Sequence, residues 1–201
     1  MALNYDVLNI FQNSLNQLVD ALTLLHIDDA AKQSLSAAVD SCVKAYRGGN
    51  KLLIAGNGGS AADAQHFAGE LVSRFNYDRP PLSAIALTTD TSILTAVSND
   101  YGYEDMFARQ IQAHGRLGDV LIAISTSGNS TNIHRAIQTA KSLGLVVIGL
   151  TGRSGGSMKA MCDTCFCAPS DSTPLIQKCH LFFEHALCAC IEESLFGELK
   201  K

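Results

Sequence analysis

Two rhythms of apolar residues divide the chain. Over residues 5–24 they recur at helical spacing, at Val7, Ile10, Phe11, Leu15, Leu18, Val19 and Leu22. Over 27–47 they do so again, at Leu35, Ala38, Val39, Cys42 and Val43. Steps of three and four residues put such side chains on one helix face, so two amphipathic helices are expected. The glycines of Arg47-Gly48-Gly49-Asn50 stop the second. From Lys51 the rhythm changes to short, nearly continuous apolar runs: KLLIAG (51–56), SAIALT (83–88), DVLIAI (119–124) and LVVIGL (145–150). Runs of this length suit strands buried on both faces. Between them lie helical stretches at about 60–75, 91–98, 102–114 and 129–143, and a last helix covers about 172–195. Strands alternating with helices predict a parallel sheet with helices on both sides. The leading helix pair stands outside that pattern, which leaves two roles open for it: packing on the sheet or supplying an oligomer contact.

Composition narrows the class. The 201 residues suit one domain, read as 1–201 with a helical pair over 1–48 and the sheet core and final helix over 49–201. An apolar content of 47% with 17% charged residues is that of an ordinary globular protein. The net charge of −4 gives no electrostatic reason to expect nucleic acid. Apolar runs such as LGLVVIGL are too short to cross a bilayer, so no membrane is expected. The opening MALNYDVLNIF has neither the basic region nor the cleavage site of a signal peptide, and the cytoplasm is the expected location. Seven cysteines fit reduced thiols better than a disulfide framework. Cys162, Cys165 and Cys167 include one C-x-x-C, but a zinc ribbon needs a second pair, and the sequence has none. Cys165 and Cys167 are read instead as part of a buried strand ending before Pro169.

Two loops follow strand ends, where open α/β sheets bind ligands. The first, GNGGSA (56–61), matches G-x-G-x-x-G/A through Gly56, Gly58 and Ala61. The acidic residue of a dinucleotide site about 20 positions on is absent, and no lysine follows the glycines as in a Walker loop. The second, STSGNS (125–130), carries four hydroxyls and a glycine before a helix, a neutral cradle for a phosphate monoester. Capping by Ser127 or Ser130 would explain one of those hydroxyls, not four. His66 and Glu70 share a helix face one turn apart. Gln177 and His185 stand eight residues apart on the last helix.

With these residues in view, the chain resembles the SIS-domain sugar isomerases, and among them the phosphoheptose isomerases. The resemblance rests on GNGGSAADAQHFAGELVSRF, RPPLSAIALTTD, NDYGYEDMF, GDVLIAISTSGNS, GLTGRSGG and the late IQKCH…H, in the family's order and over nearly all residues. It implies a three-layer α/β sandwich on a five-stranded parallel sheet, a homotetramer with sites between subunits, and conversion of sedoheptulose 7-phosphate to a heptose 7-phosphate for lipopolysaccharide core synthesis. It further implies one zinc ion per subunit held by His66, Glu70, Gln177 and His185. Phosphate contacts fall on Ser60, Ser125, Thr126, Ser127 and Ser130, and sugar contacts on Asn57, Gly58, Gly59, Asn99 and Asp100, with Arg74, Glu70 and Gln177 also at the substrate. Glu70 is the implied base and His185 its acid/base partner. Two departures stand out: Leu175-Ile176-Gln177-Lys178 where the family often has Arg-Ile-Gln-Glu, and Pro174 where some members have aspartate. Two other functions remain open alongside catalysis. One is that of a DnaA initiator-associating paralogue, which lacks the last-helix histidine, and the other that of a phosphosugar sensor without turnover.

Overall fold

The structure, a computed structural model, describes residues 6–200. The expected start of the first helix, at residue 5, lies outside them. Two helices come first, α1 (Val7–Ile27) and α2 (Asp29–Arg47). Asp28 separates them: its N–H donates to Leu25 O, ending α1, while its carboxylate accepts from Ala30 N and Ala31 N, starting α2. There follow β1 (Leu52–Gly56), α3 (Gly59–Val72), β2 (Ala84–Ala86), α4 (Thr91–Tyr101), α5 (Met106–His114), β3 (Val120–Ile124), α6 (Thr131–Ser142), β4 (Val146–Thr151), β5 (Thr164–Cys167) and α7 (Thr173–Phe196). The strands form one parallel sheet in the order β2-β1-β3-β4-β5.

Every residue of β1 and β3 is buried, which explains why their sequences show no alternation. Successive side chains point to opposite faces and feed two cores. Leu52, Ile54, Ile122 and Ile148 join Phe67, Leu71, Phe183 and Leu187 of α3 and α7 on one face. Leu53, Leu121 and Val147 join Phe107, Ile111, Ile133 and Ile137 of α5 and α6 on the other. A fully buried aliphatic side chain of this kind contributes about 1.5–3 kcal/mol, so both layers are held firmly to the sheet.

Two expectations change, and for one of the leading helices the two open roles can be weighed. The 102–114 helix begins later, as α5 at Met106, after a 3-10 turn over Tyr103–Asp105. In the Cys165 to Cys167 strand, Phe166 enters the core and the two cysteines are only half-buried, because β5 is an edge strand covered less completely. The apolar stripe of α1 is not core: Phe11 is 65% exposed and Val19 54%, and only Ala21 and Leu25 of the helix are buried.

One core residue makes stability depend on pH. His180 of α7 is fully buried, with Nε2 3.0 Å from Thr151 O and Nδ1 without a partner. Burial pushes its pKa down to about 4, although the Thr151 carbonyl favours the protonated ring. Between pH 4 and the ordinary histidine value near 6.5, only the unfolded chain takes up this proton. Stability from the neutral ring is therefore complete above pH 6.5 and falls as the pH drops toward 4, by up to about 3 kcal/mol. Urea midpoints measured from pH 7 to pH 4 are expected to fall more steeply for the native chain than for His180→Asn. Parallel profiles would contradict the buried neutral ring.

Candidate active site

The strand order reverses between β1 and β3, which are neighbours in the sheet although β2 intervenes in sequence. Loops leaving the carboxyl ends of such a pair diverge to opposite layers and leave a crevice. Here they are the glycine loop, leading into α3, and the serine loop, leading into α6. A reciprocal amide pair ties them across the crevice. Asn57 Nδ2 donates to Asn132 Oδ1 and Asn132 Nδ2 to Asn57 Oδ1, both at 2.9 Å. Tyr103 Oη adds a third bond to Asn57 Oδ1, at 2.7 Å. The side chain of Asn57 is thereby largely committed inside the protein, and its carbonyl accepts from Ser60 N at 3.0 Å.

Both helices start without a side-chain cap. Gly58, at φ +57°, precedes α3 in a conformation that favours glycine. Ser130 stands at the N-cap position of α6, yet its Oγ lies 3.0 Å from Ser125 Oγ and caps nothing. Ser127 Oγ accepts from Asn129 N at 3.1 Å, a local turn bond. The capping explanation for these hydroxyls therefore covers Ser127 in part and Ser130 not at all. Uncapped N–H groups of two adjoining helix starts, with Ser60 buried in the first turn of α3, form a cradle for an anion. Gly128, at φ +65°, has Gly155 O where a Cβ would stand, so the serine loop packs directly on the loop after β4. Thr126 joins the same contact, accepting from Gly152 N at 3.0 Å.

A second cluster lies further along α3. His66 Nε2 is 2.7 Å from His185 Nε2 and 3.5 Å from Glu70 Oε1. One ligand atom from each of the three lies within 4.8 Å of the others. Two imidazole nitrogens and a carboxylate oxygen converging in this way suit a borderline divalent metal such as zinc. Gln177 stands two turns before His185 on α7, with its amide where a Cβ of Gly59 would be. Gln177, the fourth member of the expected quartet, lies against the start of α3. Asn99 and Asp100 close α4 as an exposed pair, Asn99 Nδ2 donating to Asp100 Oδ1 at 2.8 Å. Arg74 is exposed on the loop after α3. Beside the glycine loop opens a cavity of about 280 Å³, lined by Asn57, Gly58, Thr88, Thr95, Ser98 and Tyr103 over an apolar floor of Leu94, Met106 and Phe107.

Several residues at the site escape a reading of the sequence. Asn132 and Tyr103 fix Asn57, and their only signal is their place beside recognised motifs. Phe75 lies with its ring 5.4 Å from that of His185. Glu184, next to His185, is wholly buried with neither carboxylate oxygen partnered. Burial, and then the charge of Asp63, push its carboxyl up to about 8. A glutamate in the apolar FFEHALCAC gives no hint of this beyond its misfit with its neighbours.

Comparison with known proteins agrees with this geometry. A family model described as the SIS domain matches residues 17–152. Phosphoheptose isomerase 2 of Campylobacter jejuni is 61% identical over 156 residues, 78% of each chain. The phosphoheptose isomerase of Burkholderia pseudomallei is 49% identical over 191 residues, 95% of this chain and 97% of that one. The solved structure of a phosphoheptose isomerase from Francisella tularensis superposes with a TM-score of 0.89 at 37% identity, covering 94% of this chain and all of the other. A chain with this sheet, these loops and these relatives belongs to the SIS-domain family and, within it, to the phosphoheptose isomerases.

Proposed function

We propose that the protein is an aldose–ketose isomerase that converts sedoheptulose 7-phosphate to D-glycero-D-manno-heptose 7-phosphate, the entry step to the heptose of lipopolysaccharide cores. The observation that carries this reading is the convergence of His185 of α7 with His66 and Glu70 of α3, the helix that starts at the proposed anion cradle. An initiator-binding adaptor or a phosphosugar sensor has no use for such a cluster. Seven residues separate Gly59 from His66, about 10 Å of helix. That is of the order of an open-chain heptose phosphate, so a phosphate at the cradle leaves the first two carbons near the trio. Ser60, Ser125, Thr126, Ser127 and Ser130 hold the phosphate in this reading. Asn57, Gly58, Gly59, Arg74, Asn99, Asp100 and Gln177 hold the chain of hydroxyls.

The reaction moves one proton between adjacent carbons and another between their oxygens. Glu70 takes the proton from C1 of the ketose and returns it to C2 of the enediol. His185 shuttles the proton between the two oxygens, so that O2 is protonated as O1 becomes the new carbonyl. A zinc ion, one per chain, held by His66, Glu70 and His185 with Gln177 nearby, would supply a Lewis acid for the carbonyl. Cytoplasmic location follows from a phosphorylated substrate. We further read residues 1–201 as a single domain and the assembly as a homotetramer. The outward apolar stripe of α1 supports the latter, because contiguous exposed patches of this kind mark interfaces.

The direct test incubates the protein with sedoheptulose 7-phosphate, with and without zinc, and looks for heptose 7-phosphate. Glu70→Gln should lower kcat about 10²–10⁴-fold, since the amide cannot take a proton, while leaving fold and sugar-phosphate binding intact. Near-native turnover would remove Glu70 from the chemistry. Ser127→Ala combined with Ser130→Ala should raise KM more than it lowers kcat, because uniform binding is lost; an unchanged KM would leave these hydroxyls no phosphate role. Phe11→Glu combined with Val19→Glu should yield a smaller, less active species by sedimentation. An intact, fully active tetramer from that variant would exclude α1 from the interface.

A further inference from the structure

We infer that Arg79 and Glu192 are a positioning pair that sets the geometry of Glu70, Arg74 and His185 for the proposed isomerisation. The inference rests on the reading above for the roles of those three residues, but its structural basis is separate. Both side chains are 1% exposed, and Arg79 Nε donates to Glu192 Oε1 at 3.0 Å. The rest of the guanidinium is turned to the end of α3. Nη2 donates to Glu70 O at 2.9 Å, and Nη1 to Leu71 O at 2.7 Å and Pro80 O at 3.0 Å. A helix usually closes on a glycine or on water; α3 closes on a buried arginine. Its last turn, which carries Glu70, is therefore fixed by two charge-assisted bonds from one rigid planar group, and the third ties the same group to the loop at Pro80.

Glu192 completes the arrangement from α7. Its Oε1 accepts from Phe75 N at 3.0 Å and its Oε2 from Asn76 N at 2.7 Å. Burial alone would raise this carboxyl. The bonds from the two backbone amides and from Arg79 outweigh it and hold the group below the ordinary carboxylate range. The two amides directly follow Arg74, so the course of the backbone there is dictated by Glu192. They also place the Phe75 ring against His185. One buried ion pair thus binds the end of the helix bearing the base, the loop bearing the substrate arginine, and the buttress of the second acid/base.

Neither residue reaches the reacting atoms, so the pair acts through others. A purely structural staple would affect melting temperature alone. A positioning pair also alters chemistry and metal geometry in molecules that remain folded. The test uses the full chain as Glu192→Gln, which keeps the shape but puts an amide N–H against a backbone N–H, and as Arg79→Lys, which keeps the charge but reaches fewer carbonyls. Each is compared with the native chain for melting temperature, kcat, KM, and cobalt(II) affinity and visible absorption. For folded Glu192→Gln, kcat should fall at least tenfold, cobalt affinity should weaken about tenfold, and the absorption bands should shift. Glu192→Asp should recover part of each. A folded variant with only its melting temperature lowered would overturn the inference, and Arg79→Lys decides in the same way if Glu192→Gln does not fold. Should the native chain show no isomerase activity, the functional reading fails, while the cobalt spectra still test the positioning pair.

Discussion

Everything at the site depends on β1 and β3 lying side by side, parallel, while the chain leaves them toward opposite layers. The sheet is indifferent to which loops follow its strands, but this reversal opens a crevice at one place only along its carboxyl edge. A crevice between diverging helices would widen freely without a cross-link. The Asn57–Asn132 amide pair supplies it, joining the first residues of the two layers by two hydrogen bonds at 2.9 Å. Each such bond is worth about 1 kcal/mol net. Its larger consequence is geometric, because it fixes the separation of the two helix starts between which an anion would sit.

Capping differs among the helix starts. The starts of α1, α2 and α4 are closed by Asp6, Asp28 and Asp90, each carboxylate accepting from backbone N–H groups of the first turn. The starts of α3, α5, α6 and α7 have no side-chain cap, although serines stand at the N-cap positions of α6 and α7; α5 follows directly on the 3-10 turn over Tyr103–Asp105. A missing cap costs about 1 kcal/mol, and three of the four uncapped starts belong to the helices that follow β1, β3 and β5. In the proposed reading, the unclaimed N–H groups would let a glycine loop and a serine loop hold a doubly charged group without a lysine.

The layered fold was legible because buried parallel strands write themselves as uninterrupted apolar runs, as KLLIAG and DVLIAI do. The serine loop and the His66–Glu70 spacing were legible for a related reason, since each is a local pattern with a local cause. What stayed hidden is tertiary. Arg79 and Glu192 are 113 residues apart, and nothing in RPPLSAI or CIEESLF marks them as partners. The α1 stripe was read correctly as a helix face, but periodicity reports only that a face is apolar, not which surface covers it. At Cys165 and Cys167 the apolar run gave the right element but overstated its burial, because such a run on an edge strand contains no sign of how completely it is covered.

The meeting of His66 with His185 is a matter of register between two helices. On α3, His66 stands seven residues after Gly59; on α7, His185 stands eight residues after Gln177. Gly59 touches Gln177 at one end and the histidines meet at the other, so α3 and α7 run parallel with matched rise. At 1.5 Å per residue the two spacings are about 10 and 12 Å, and the small difference is taken up by side-chain lean. One inserted residue in either helix would turn everything beyond it by about 100° and carry a histidine off the shared face. The absence of a Cβ at Gly59 lets the helices approach at one end, and the Arg79–Glu192 pair stops them from sliding at the other. Between these two fixed points lies Glu184, buried, with its carboxyl raised to about 8 by burial and then by the charge of Asp63. Register and close approach therefore form a single requirement, and Gly59, the glycine that begins α3, is also the residue that lets α3 and α7 meet.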